Sequence, residues 1–336
     1  MMKTLRKILF PFSLIYAAIT SLRNLLYDKG IKKSTGFEIP VIAVGNLSVG
    51  GTGKTPMVEY LIRLLSDQYN LAVLSRGYKR KSKGFYLAND TTTIEEIGDE
   101  PFQYHSKFKQ INVAVNADRV EGVTKILELL PKTELVLLDD AFQHRKIKAG
   151  FYIMLTAYND LFYNDLVLPA GNLRECTSGV KRANVVVVTK CPKDLSDKEM
   201  EQIKNKINIE NSNIFFSCIK YHHSVTNTVE EIDLNDLKDD FIAVAGIAKP
   251  EYFYDYLNCP VERQITFPDH HFFTPQDLKE IVAKANGRKI ITTEKDYMRL
   301  QNQLPKKQLY YLPIEMDFVK DKERFETLIA YTVEEF

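Results

Sequence analysis

The chain has 336 residues, 45% of them hydrophobic and 26% charged, so it can bury one large core or two ordinary ones and is neither disordered nor fibrous. A formal net charge of +1, with no zinc-finger spacing and no RNA-binding aromatic signature, argues against a nucleic-acid partner. Cys176, Cys191, Cys218 and Cys259 are far apart and form no C-x-x-C pair, which suggests neither a disulfide framework nor a zinc site and suits a reducing, cytosolic setting.

The first element is basic at both ends. Residues 1–40 carry Lys3, Arg6, Lys7, Arg23, Lys29, Lys32 and Lys33 against Asp28 and Glu38, a net +5 that leaves the remainder acidic. Between Lys7 and Arg23 lies an uncharged run, Ile8 to Leu22, shorter than the roughly 20 residues a spanning helix needs. Basic flanks, Tyr16 and Tyr27, and Leu22, Leu25 and Leu26 predict a helix lying in an anionic leaflet. A helix packed on its own domain is the competing reading. A cleaved signal peptide is disfavoured, because no small-residue cleavage site precedes Arg23.

The apolar run Ile39–Val44 then gives way to Ser48-Val49-Gly50-Gly51-Thr52-Gly53-Lys54-Thr55 and a helical pattern. This order reads as a phosphate-binding loop: glycines let N–H groups turn around a polyphosphate, Lys54 reaches the β and γ oxygens, and the Thr55 hydroxyl faces Mg²⁺. Ser48 stands where the commonest pattern has glycine. Nucleoside triphosphate chemistry is expected, but switches, pumps and kinases share the loop.

Further apolar runs alternate with helical patterns: Leu71–Leu74, Asn112–Val115, Leu135–Leu138, Tyr152–Leu155 and Val185–Thr189, then Ile214–Ile219. The pattern predicts an α/β fold, a P-loop core with a mainly parallel sheet. The polar stretch Lys220 to Lys238 marks a boundary, beyond which Phe241–Ala245, Arg263–Phe267, Lys289–Thr293 and Leu309–Pro313 predict a smaller α/β domain. The expected division is an N-terminal basic helix over 1–35, a core over 36–220 and a C-terminal domain over 221–336.

Ligands in such sheets bind beyond the carboxyl ends of the strands. After Leu138 come Asp139 and Asp140, the expected Mg²⁺ pair, followed by Gln143 and His144. After Leu74 comes the cationic stretch Ser75-Arg76-Gly77-Tyr78-Lys79-Arg80-Lys81, either a grip for an anionic substrate or a solvated turn. Asp99, in Gly98-Asp99-Glu100-Pro101, reads by itself as a helix cap. Asp269-His270-His271 offers a histidine that could pair with a carboxylate, and Thr292-Thr293-Glu294-Lys295-Asp296 ends a strand in a charged loop.

Taken together, these stretches resemble the tetraacyldisaccharide 4′-kinase family of lipid A biosynthesis. The residues that carry the resemblance run in family order over most of the chain: Gly45 to Pro56, Leu74-Ser75-Arg76-Gly77-Tyr78, Gly98-Asp99-Glu100-Pro101, Asp139-Asp140-Ala141-Phe142-Gln143-His144, Leu168 to Glu175, Phe267-Pro268-Asp269-His270 and Thr293-Glu294-Lys295-Asp296. The resemblance implies transfer of the ATP γ-phosphate to the 4′-hydroxyl of a lipid A disaccharide 1-phosphate, giving lipid IVA. It also implies a membrane-associated N-terminal helix at the cytoplasmic face of the bacterial inner membrane, and a monomer is expected. It makes Asp99 the base on the sugar hydroxyl, paired with His270 rather than His271, and brings Arg119 and Glu175 near the active site. Arg76, Tyr78, Gln143, His144 and Glu175 are the expected substrate contacts. Ala141-Phe142 and Asn172 depart from the commoner pattern, and Asn172 bears on the shape of its loop. Two rival classes remain, a GTPase or metallochaperone switch and a non-catalytic tethered nucleotide module. Thr189-Lys190-Cys191-Pro192 lacks the final Asp of a guanine-reading motif, against the first; the set of base, metal and basic-loop candidates argues against the second.

Overall fold

Four strands of the first sheet are near-continuous apolar runs, and the reason is visible in how they sit. In a computed structural model, in which residues 6–207, 209, 213–237, 240–269 and 271–336 are described, β1 (Val41–Asn46), β2 (Leu71–Ser75), β5 (Leu135–Asp139) and β7 (Val185–Thr189) are buried at every position. A parallel strand covered by helices on both faces has no solvent side, so its sequence does not alternate. With β3 (Tyr86–Leu87), β4 (Asn112–Val115), β6 (Phe151–Ala157), β8 (Asn213–Tyr221) and β15 (Ile314–Phe318) they form a nine-stranded sheet in the order β15-β8-β7-β6-β1-β5-β2-β4-β3. The inner pairings are parallel, and the edge strands β3 and β15 are antiparallel to their neighbours.

Strand β1 sits where the order reverses, between β5 and β6, and this is the place where a doubly wound sheet opens a crevice at its carboxyl edge. Helix α1 (Phe10–Asp28) precedes the sheet, α2 (Lys54–Leu65) follows β1, and α3 (Ile94–Ile97), α4 (Asp99–Lys107), α5 (Arg119–Leu129) and α6 (Asp197–Ile207) connect later strands. The face of α2 buries Met57, Val58, Leu61, Ile62 and Leu65 against Ile42, Val44, Val73 and Ile153, at roughly 1.5–3 kcal/mol per large apolar side chain removed from water. Ala43, Leu74, Val123, Ile126 and Leu138 make the core on the other face.

The second sheet has six strands in the order β10 (Glu231–Asp233), β9 (Ser224–Thr226), β14 (Leu309–Leu312), β13 (Lys289–Thr293), β11 (Phe241–Ala245) and β12 (Gln264–Thr266). Its helices are α7 (Glu251–Tyr256), α8 (Pro275–Ala285) and α9 (Glu294–Leu300). The two cores, around Ile242, Ile281 and Ile290 and around Ala243, Phe253 and Ile291, lie on opposite faces. The polar stretch after Lys220 is not a bare linker, since it contributes β9 and β10. The chain also returns: β15 pairs with β8, and α10 (Lys322–Glu334) sets Phe325 against Phe215 and Phe318, with ring centres 5.2 and 4.6 Å apart. The end of the expected C-terminal domain therefore belongs to the first sheet. In Ile314-Glu315-Met316-Asp317-Phe318 the period-2 alternation buries Met316 and Phe318 and leaves the acids at the rim.

Candidate active site

Residues 48–53 connect the carboxyl end of β1 to α2. Gly50 and Gly53 have φ of 115° and 85°, a backbone region that side chains rarely tolerate, and Gly53 is the residue preceding α2. The turn is anchored from outside. The Thr189 hydroxyl donates to the Thr52 carbonyl at 2.8 Å, Lys190 Nζ donates to the Gly51 carbonyl at 2.6 Å, and Val49 N–H donates to the Asn172 carbonyl at 2.8 Å. Ser48 is buried and bridges Leu173, which accounts for a position that needs no glycine. Asn172 does not spoil its loop, because its side chain accepts from Arg6 at 3.0 Å.

Lys54 Nζ stands 3.5 Å from Asp140 Oδ1 and 3.4 Å from Asn46 Oδ1. Asn46, fully buried at the end of β1, is held by its own donation to the Ser48 carbonyl at 2.8 Å. Asp139 ends β5 and Asp140 follows it, in different environments. Asp139 is buried, takes a hydrogen bond from the Ser75 hydroxyl on Oδ2 at 3.1 Å, and leaves Oδ1 buried with no partner among the described residues. Burial, followed by the charge of Asp140, lifts its carboxyl to about 6. Burial also pushes Asp140 upward, but Lys54 and Arg174 outweigh it and hold Asp140 below its ordinary value. Arg174 Nη1 lies 3.0 Å from each Asp140 oxygen.

A cavity of about 310 Å³ opens beside these groups, lined by Val49, Arg76, Asp140, Gln143, His144, Leu168 and Arg174 from the sheet and by Tyr16, Thr20 and Arg23 from α1. Three arginines make it cationic. Burial, then Arg119 and Arg76, lowers His144 to about 4, so its ring is neutral at pH 7. Gln143 donates to the Asn46 carbonyl at 2.8 Å and to Glu175 Oε1 at 3.1 Å.

Two expected site residues are turned inward. Glu175 is fully buried and accepts from Asn24 at 2.6 Å and Arg182 at 2.8 Å, so it ties α1 to Gln143 and does not line the cavity. Arg119, 2% exposed, donates to the carbonyls of Asn116 and Asp139, and burial lowers its guanidinium to about 10. It supports the backbone of the acidic pair from behind.

Asp99 is not the helix cap its local sequence suggests. Gly98, at φ 90°, takes the preceding position, no side-chain cap bond forms, and Asp99 is the first residue of α4 with its carboxylate paired to Arg299 of α9. The cationic loop lies against this turn: a Cβ on Gly98 would come within 2.8 Å of the Tyr78 carbonyl. Tyr78 is 60% exposed, and Lys79 Nζ lies near both its ring and that of Phe272. His270 lies outside the described residues. His271 Nε2 is 2.9 Å from Asp277, within the capping box of α8, and its ring stacks on Phe267, so it is committed to local structure.

Sequence reading did not single out Asn46, Lys190, Arg174 or Arg299 as site residues. Asn46 and Arg174 sit inside quoted motifs, and Arg299 follows Asp296 by three positions on one helix face, a usable spacing. Lys190 carried a signal only as the residue after a strand end.

Fold and site together define an α/β protein with a glycine-rich turn at the switch point of a parallel sheet and a cationic, acid-edged cavity beside it. The family model described as tetraacyldisaccharide-1-P 4′-kinase, LpxK, matches residues 5–334, and the chain belongs to that family. A tetraacyldisaccharide 4′-kinase of Flavobacterium johnsoniae is 54% identical over 336 residues, covering 99% of each chain. One of Bacteroides thetaiotaomicron is 41% identical, covering 95% of this chain and 90% of the other. A crystal structure described as LpxK from Aquifex aeolicus in complex with ATP superposes with a TM-score of 0.79 at 34% identity, covering 98% of this chain and 99% of that one.

Proposed function

We propose that the chain transfers the γ-phosphate of ATP to the 4′-hydroxyl of a tetraacylated disaccharide 1-phosphate. The observation that carries this reading is the meeting of Lys54, Asp140 and Asn46 at the mouth of the glycine turn, beside an arginine-lined cavity walled by α1.

Residues Ser48 to Thr55 bind the donor's phosphates, Lys54 meeting the charge that spreads over the transferring group. Lys54 is held ready by Asp140 and Asn46, so little reorganisation is needed when phosphate arrives. Thr55 with Asp139 or Asp140 would hold Mg²⁺, and the partnerless Oδ1 of Asp139 fits a metal that keeps most of its waters and takes one or two carboxylates. Bound there, the ion would neutralise charge on the phosphates. Arg119 positions the Asp139 backbone, and Arg23, Arg76 and Arg174 give the cavity the charge to take a phosphorylated sugar. Gln143, His144 and Tyr78 supply neutral polar contacts, and Glu175 orients Gln143. Asp99 accepts the proton of the sugar hydroxyl.

Helix α1 brings the site to its lipid. Its docked face is polar, with Ser13 and Thr20 buried and Asn24 bonded to Glu175, whereas Phe12, Ile15, Ile19 and Leu22 are each 58–62% exposed. No helix among the described residues is long and apolar enough to cross a membrane. A helix that turns its apolar face outward, with basic flanks, suits the surface of an anionic leaflet, here the cytoplasmic face of the inner membrane.

Asp99→Ala tests the reading. It should leave ATP affinity within about twofold and lower phosphate transfer by about 10²–10⁴-fold. Turnover at the wild-type rate would refute the role given to Asp99.

A further inference from the structure

The carboxylate of Asp99 is gripped from the other sheet. Arg299 Nε donates to Asp99 Oδ1 at 3.2 Å, and Nη2 donates to Oδ2, a two-pronged pair that joins α9 to the first residue of α4. The guanidinium is itself fixed, with Nη1 3.4 Å from Asp296 Oδ1 and 3.4 Å from the His271 carbonyl, and its side chain is 7% exposed. Asp296 is fully buried; its Oδ2 accepts from Gly246 N–H at 2.7 Å and from the Thr293 hydroxyl at 2.7 Å. A continuous series of charge-assisted bonds thus runs from the ends of β11 and β13 through α9 to Asp99.

We propose that Arg299 is a positioning residue for the proton acceptor: anchored on Asp296, it sets the plane of the Asp99 carboxylate against the acceptor hydroxyl, so the second sheet supplies the aim of a base carried by the first. The inference rests on Asp99 being that base. Asp99 follows a glycine at φ 90° that takes the cap position, so the carboxylate is the first acid of its helix rather than its cap, and Arg299 meets both of its oxygens. A guanidinium fork matches a carboxylate edge to edge and fixes its plane as a single point charge cannot. Each carboxylate oxygen has two lone-pair directions, so a bond to Arg299 does not by itself exhaust its capacity to accept. In the step itself the sugar oxygen forms a bond to the γ-phosphorus, its proton passes to an Asp99 oxygen, and the bond from phosphorus to the bridging oxygen breaks to release ADP.

The test uses the intact chain with ATP and a tetraacyldisaccharide 1-phosphate in mixed micelles, with single-turnover rates for the slow variants. Arg299→Gln should lower kcat by about 10–100-fold and leave the KM for ATP within about twofold, because misaiming by about an ångström is costly while donor binding is untouched. Its thermal midpoint should stay within a few degrees of wild type. Arg299→Lys, which keeps the charge and loses the fork, should fall between the two. Most directly, Arg299→Gln should slow an Asp99→Asn enzyme by less than about twofold, because groups that act as a unit are not additive. Wild-type kcat in Arg299→Gln, a full additional loss in the double variant, or a kcat loss that appears only with a collapsed thermal midpoint would overturn the proposal. If Asp99→Asn alone keeps wild-type turnover, the base assignment fails instead, so the two ideas fail separately.

Discussion

Lys107 reaches between two acids. Its Nζ is 2.8 Å from Glu59 on α2 and 2.5 Å from Glu294 on α9, and Gln103 donates to Glu59 at 2.7 Å. Glu294 is 4% exposed and its second oxygen has no partner among the described residues. Burial, then the charge of Glu59, lifts its carboxyl to about 7 from an ordinary 4.5, although Lys107 and, more weakly, Arg63 pull the other way. An acid whose folded pKa lies above its unfolded value gives most stability below the unfolded one. That stability is lost as pH rises from about 4.5 to about 7, on the order of 2 kcal/mol over the window. Glu294→Gln cannot titrate, so its thermal midpoint should vary less between pH 5 and 7.5 than that of the wild type, by several degrees. An equal pH slope in the two proteins would refute this. The same scale shows what a sequence hides. Lys54, Thr55, Asp139 and Asp140 announce themselves because a local turn or strand end dictates their type. Arg174 and Arg299 do not, since their carboxylate partners lie 34 and 200 positions away and only the fold brings them together.

At the scale of elements, α1 is inverted relative to an ordinary surface helix, with polar residues docked and apolar residues outside. Replacing Phe12, Ile15 and Ile19 together by aspartate should abolish cosedimentation with anionic vesicles. The thermal midpoint should hold, because these side chains are 60%, 59% and 62% exposed. Unchanged sedimentation would contradict the membrane role. The long buried strands were legible for the same reason that they are stable, since continuous Val, Leu and Ile runs have few other uses. Strands β3, β9 and β10 were not, because two or three residues are too few to carry a period. Strand β15 was missed at an edge, where Glu315 and Asp317 interrupt the apolar positions. Asp99 shows the opposite failure: Gly-Asp-Glu-Pro is a complete cap signature, yet the carboxylate pairs with Arg299 on helix α9.

At the scale of the molecule, the carboxyl edge of the large sheet is enclosed from two sides. Helix α1 walls the cavity on one side through Tyr16, Thr20 and Arg23, and α9 reaches Asp99 and Lys107 on the other. The chain leaves the large sheet after Tyr221 and rejoins it at Ile314, so the smaller sheet is tethered at both ends and its docked residues are held near the site. A single assay tests the whole reading most directly. The purified chain is given γ-labelled ATP, GTP in parallel, and a tetraacyldisaccharide 1-phosphate in anionic micelles, and the position of the label is read from the product. The account predicts label on the 4′-oxygen with ATP as donor and little with GTP. ATP hydrolysis without transfer, or label at any other position, would contradict it.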